Sequence, residues 1–156
     1  MELKTVGQIS APPIEAINSL ERYCRVKLPL DFIEFLQHGN GGIPEKNLFI
    51  HDGMDRLIER FLPVMLDPNS DDIGEYDISV VMTELDARLG DDPDEIGCKI
   101  IPFAALFAGD FLCLDFRKNS ECPEVVLWDH NQSDDFAPHT ESVAPSFADF
   151  KTQLFT

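Results

Sequence analysis

Three short apolar runs in the second half of the chain constrain the fold most: Lys99-Ile100-Ile101-Pro102-Phe103-Ala104, Phe111-Leu112-Cys113-Leu114-Asp115-Phe116 and Val125-Val126-Leu127-Trp128. Runs this short, rich in Ile, Val, Leu and Phe and bounded by turn residues, read as strands. Gly109-Asp110 leads into the second run, and Asp129-His130-Asn131 ends the third. Short connections of this kind join antiparallel neighbours. The back half therefore predicts an antiparallel sheet.

Helical spacing surrounds it. After Ser10-Ala11-Pro12-Pro13, where proline suits a first turn, Ile14, Ile17, Leu20 and Cys24 recur three to four residues apart. That spacing predicts an amphipathic helix with one face on a core. A second helix opens at Leu28-Pro29, buries Phe32, Phe35 and Leu36, and stops at Gly39-Asn40-Gly41-Gly42, residues that end helices. Leu48–Ile50 and Leu57–Leu62 read as two further strands. Asp67–Asp77 reads as an acidic loop, Ile78–Leu89 as a helix stopped by Gly90, and Asp91–Glu95 as a second acidic loop. Pro145–Phe155 closes the chain as a helix presenting Phe147, Phe150 and Leu154. The class is α+β, a mostly antiparallel sheet with flanking helices.

A chain of 156 residues falls in the range of one domain, and residues 1–156 are read as a single one. Surface scaling predicts a folded accessible area of roughly 8,000 Å². With 44% hydrophobic residues and 12 Phe, the core needs no disulfide or metal. Charge excludes more than it permits. Twelve Lys and Arg against 29 Asp and Glu leave a net charge of −17, which repels phosphate backbones and anionic membranes. No direct nucleic-acid or membrane contact is expected. A basic partner would be steered in quickly and salt-sensitively, although acidity can also serve solubility alone. The four cysteines, Cys24, Cys98, Cys113 and Cys122, form no C-x-x-C pair, and Cys24 and Cys113 lie in apolar stretches. With an N-terminus that lacks the features of a signal peptide, this predicts a cytoplasmic protein.

Catalytic and ligand chemistry finds little support. An EF-hand loop counted from Asp67 would need Gly at position six and Glu at twelve, where Asp72 and Ile78 stand; at most a weak, non-specific divalent site remains there. His38, His51, His130 and His139 form no zinc motif. Asp110 and Asp115 flank a strand as a conceivable carboxylate pair, but a turn role for Asp110 and an arginine or backbone partner for Asp115 fit them better. A cleft joining His130, Asp129 and Asp115 would revive an enzyme. The expectation is no enzyme, no cofactor and no metal, with Trp128 as a core anchor.

Several of these segments together resemble a known family. Leu28-Pro29-x-Asp31-Phe32-x-x-Phe35-Leu36, Asn40-Gly41-Gly42, Ile101-Pro102-Phe103, Gly109–Asp115, Val125-x-x-Trp128-Asp129-His130 and Ser146–Phe150 occur in the order seen in the SUKH superfamily of Smi/Knr-type proteins. The resemblance spans nearly the whole chain, from the first helix to Leu154. It implies an α+β fold with an antiparallel sheet, and for bacterial members an immunity protein that binds and blocks a toxin domain, often a nuclease. The alternative it implies is a non-catalytic regulatory or scaffold protein. It assigns no contact residues, because partners within the superfamily are diverse.

The residues themselves suggest where a toxin would bind. Nuclease grooves are basic, and an acidic inhibitor surface can occupy them in place of nucleic acid. The candidates are Asp71, Asp72, Glu75 and Asp77 in one loop, Asp91, Asp92, Asp94 and Glu95 in the next, and Asp134 and Asp135 in a third. The plainer reading of each loop is solvated surface.

Overall fold

In the computed structural model of the protein, which describes residues 2–156, proline sets where the first two helices begin. Pro13 and Pro29 sit in extended conformations before α1 (Ile14–Cys24) and α2 (Leu30–Gly39). Proline's fixed φ and missing N–H are harmless at that boundary. Helix α1 stops at Arg25, whose left-handed backbone lets its N–H donate to the Glu21 carbonyl. It buries Ala16, Ile17, Leu20 and Cys24, while Ile14, expected on that stripe, is exposed. Ile14 stands in the first turn, beyond the edge of the core, and Ala16 takes the inward place. Helix α2 buries Phe32, Phe35 and Leu36 as expected. It ends at Gly39, where a Cβ would press into the Phe35 ring.

A two-residue strand, β1 (Thr5–Val6), pairs with β2 (Ile43–Pro44). Then β3 (Leu48–His51) and β4 (Met54–Phe61) form a hairpin around Asp52-Gly53, with φ of 51° and 75°. Consecutive positive φ values mark the tight turn that matches strand twist. The strand expected at Leu57–Leu62 thus begins three residues earlier. Helix α3 (Ile78–Leu85) breaks at Asp86, φ 48°, into a 3-10 turn over Asp86–Leu89 rather than continuing as one helix. Next come β5 (Ile100–Leu106), β6 (Phe111–Asp115), β7 (Glu124–Trp128), β8 (Thr140–Ala144) and α4 (Phe147–Thr152). Ser146 caps α4 by accepting from Asp149 N at 3.1 Å, so the helix is shorter than Pro145–Phe155.

Strands β3 to β8 make one antiparallel sheet in sequence order. The ladder shifts register at Pro102, where proline has no N–H to offer. Side chains alternate across the sheet. One face carries Phe103, which meets Phe32, Phe147 and Phe150 edge-on at 5.8, 5.6 and 5.7 Å; burying each such ring contributes about 1.5–3 kcal/mol. The other face carries Trp128, fully buried, whose Nε1 donates to the Arg88 carbonyl at 3.0 Å. Helices α2 and α4 thus cover one side, and α3 with its 3-10 turn covers the other. The α+β class is as expected, and the accessible area, 8160 Å², matches the scaling. No helix among the described residues is long and apolar enough to cross a membrane.

Asn40 joins three segments. Its Nδ2 donates to the Ser10 and Val64 carbonyls at 3.0 and 3.1 Å, and its Oδ1 accepts from Val64 N at 2.8 Å. The side chain is 1% exposed. Every polar group it carries is satisfied, as burial requires.

Candidate partner-binding surface

The acidic segments gather on the α3 side. Around the first, Asp67 accepts from Asn69 N and Asp71 accepts from Ile73 N, two turns that leave Asp71 and Asp72 in solvent. Gly74 lets the segment fold onto itself, because a Cβ there would collide with the Pro68 carbonyl oxygen. Glu75 is exposed. Asp77 is not: it is 2% exposed, accepting from Val80 N at 3.1 Å and from Met65 N at 2.9 Å. Burial raises its carboxyl above the usual value despite these bonds. Asp77 therefore caps α3 and is withdrawn from the surface that its three neighbours occupy.

Around the second segment, Asp92 and Asp94 are exposed, and Asp92 accepts from Asp94 N at 2.9 Å. Asp91 reaches Arg117 Nη1 at 3.1 Å, so its charge is partly matched. Glu95 is half-buried, and burial followed by repulsion from Asp91 raises its carboxyl. The third segment is tied to the second: Phe136 N donates to the Ala87 carbonyl at 2.8 Å. A shared depression is lined by Asp86, Ala87, Asp92, Pro93, Glu95 and Phe136. Asp134 and Asp135, exposed beside Phe136, extend that patch. Helix α3 spans only about 12 Å, and its exposed Ser79, Thr83 and Glu84 link the first segment to this patch.

Three acids that the sequence reading passed over belong here. Glu59 and Glu84 line one shallow cleft with the expected Glu75 and with Asp110, and Asp86 lines the next. Glu84 and Asp86 lie off the Ile78, Met82, Leu85 stripe, which was the available signal. Glu59 had none, because its place depends on strand pairing. Arginines on this side turn toward rings or carboxylates: Arg60 over Tyr76 at 5.2 Å, Arg88 over Trp128 at 5.5 Å, and Arg117 onto Asp115 at 2.8 Å. Arg22, Arg25 and Lys27 line a different groove, at the end of α1.

Asp110 and Asp115 do not form a carboxylate pair. They bracket β6, roughly 17 Å apart at the usual strand rise, and each has its own partners. Asp110 accepts from Arg56 Nη2 at 2.8 Å, from His130 N at 2.9 Å and from His130 Nδ1 at 2.6 Å. Burial pushes its carboxyl up, but these bonds outweigh that and hold it below the usual value. His130 and Asp129 do converge, with Asp110 rather than Asp115. Asp115 is held by Arg117, the partner type expected for it.

The motif residues Asn40, Asp110 and Asp115 thus turn inward, and with the partly exposed His130 they tie elements of the fold together. The sequence matches the SUKH_6 family, SMI1-KNR4 cell-wall, over residues 14–150. The chain belongs to this family. No curated protein and no solved structure matches significantly. The SUKH motifs occupy core and connecting positions here, whereas the acidic segments lie mostly between them. Family membership therefore accounts for the scaffold and leaves the loops free to differ.

Proposed function

We propose that this SUKH protein is an immunity protein that binds a partner toxin domain, a basic nuclease, and blocks it with the acidic α3 face. The observation that carries the reading is the gathering of exposed acids on one side: Asp71, Asp72, Glu75, Asp92, Asp94, Asp134 and Asp135, with Asp91 and Glu95 partly engaged. Phe136, 46% exposed among them, supplies the kind of aromatic anchor that carries binding energy. A large excess of negative charge on one face steers association and fits a groove built for phosphate. Occlusion requires no catalysis, and a cytoplasmic setting keeps the four free cysteines reduced.

The test begins with recovery of the tagged protein from its native cells and mass spectrometry of what accompanies it. One stoichiometric partner with a basic, toxic domain supports the reading. Several substoichiometric envelope or signalling partners support the second reading, a regulatory scaffold, which the cell-wall description of the family favours. With the partner in hand, Asp71→Lys with Asp72→Lys, Asp92→Lys with Asp94→Lys, and Asp134→Lys with Asp135→Lys should each weaken inhibition. Added salt should weaken it too, since exposed charges are screened beyond about 8 Å at physiological strength. Unchanged affinity after reversal at all three segments would remove the electrostatic mechanism.

A further inference from the structure

The two edge strands of the sheet approach one another. Residue Phe155, after α4, pairs with Leu48 of β3 through both backbone bonds, 3.0 and 2.9 Å. Beside this closure the end of β3 meets β8. His51 Nε2 lies 3.4 Å from Glu141 Oε1 and 3.7 Å from Asp52 Oδ2, and one ligand atom from each of the three residues falls within 4.8 Å of the others.

These spacings suit co-ligands better than hydrogen bonds. A charge-assisted N–H···O bond is about 2.7–2.9 Å long. Atoms bound at about 2.0–2.1 Å around a tetrahedral zinc ion lie roughly 3.3 Å apart. Among the described residues, Asp52 and Glu141 make ion pairs only with histidines. Two carboxylates and an imidazole nitrogen therefore converge with no Lys or Arg between them. The hairpin turn holds Asp52 in place, since φ is positive at both Asp52 and Gly53. His139 Nε2 stands 3.6 Å from the other oxygen of Glu141, where an outer partner orients a ligating carboxylate.

We propose that His51 Nε2, Asp52 and Glu141 form a binding site for a divalent transition-metal cation, zinc above all, that fastens the β3–β4 hairpin to β8. One imidazole with two carboxylates suits zinc and its first-row neighbours. Asp52 is mostly exposed and forms the entrance, so the fourth position faces water. His51, only 12% exposed at its side chain, forms the floor.

Calorimetric titration of the reduced protein with Zn²⁺, and absorption spectroscopy with Co²⁺, test this. The expected result is one ion per chain, no thiolate-to-cobalt band, and a metal-dependent rise in Tm. His51→Ala and Glu141→Gln should each weaken binding by at least about 10–100-fold, the loss that removal of an outer partner already causes. His130→Ala should leave binding unchanged. Glu141 is a third exposed, so Glu141→Gln keeps the test valid if His51→Ala fails to fold. Failure to bind, a thiolate band, or equal affinity in Glu141→Gln would each overturn the proposal.

Discussion

Replacing Asn40 by alanine removes three hydrogen bonds made by a side chain that is itself buried, two of them in the buried contact with Val64. Two acceptors, the Ser10 and Val64 carbonyls, and one donor, Val64 N, lose their partner together. A carbonyl can find a second donor more readily than a buried N–H can find another acceptor. Each bond is worth about 1 kcal/mol net, and a stranded buried donor costs about 1–3 kcal/mol. The expected loss is about 3–5 kcal/mol, a large part of the roughly 5–15 kcal/mol that holds a domain folded. For a chain of this size each kcal/mol moves Tm by about 2–4 °C, so Asn40→Ala should lower it by about 6–20 °C. Thermal melts by circular dichroism and urea unfolding of wild type and variant measure both quantities. Asn40→Asp should be at least as damaging, because it keeps one acceptor but sets a carboxylate against two carbonyls. A loss below about 1 kcal/mol for Asn40→Ala would show that the three segments meet without this side chain, and the account of the Asn-Gly-Gly motif would fail.

Asp77→Ala should destabilise by about 2–3 kcal/mol, one part for the lost cap and the rest for the stranded Met65 N–H, whereas Asp71→Lys with Asp72→Lys should stay within about 0.5 kcal/mol in urea unfolding. Asp110 has its carboxyl lowered from 3.8 in the folded state. Its contribution is therefore present above pH 3.8 and lost as the pH falls through the lower folded value, so Asp110→Asn should flatten the acid limb of the stability profile. Cys122 is exposed, while burial raises Cys24 to about 12 and Cys98 to about 11 and pushes Cys113 up as well. A thiol reagent should label Cys122 in the native protein and the other three only on unfolding; a second fast native thiol would contradict this burial.

Elements dominated by apolar side chains were legible before the structure. Strands β5, β6 and β7 are nearly unbroken apolar runs because the sheet is covered on both faces, and α2 shows its stripe of Phe32, Phe35 and Leu36. Strand β8 was not anticipated. Thr140–Ala144 is an edge segment, buried fully only at Ala144, and it is a strand because β7 offers it a ladder. The same holds for β1 and β2, two residues each, whose existence rests on pairing alone. The Asp52-Gly53 turn was legible in principle as a hairpin signal, yet its effect, extending β4 back to Met54, appears only once the strands are in register.

Within the acidic segments the sequence could count carboxylates but not sort them. Asp72 and Asp77 are the same residue type in one loop. Asp72 is solvated, while Asp77 is fixed under α3 by two backbone N–H groups supplied from different elements. Nor does chain order bring Asp92 beside Phe136; the bond from Phe136 N to Ala87 does. By itself the sequence determined the fold class, the hydrophobic stripes and the excess of negative charge, because these are sums over side-chain types and their spacing. The tertiary structure decided which charges share a face, which acids are structural, and that His51 meets Glu141. Those depend on contacts between segments far apart in the chain, and such contacts exist only after the core has closed.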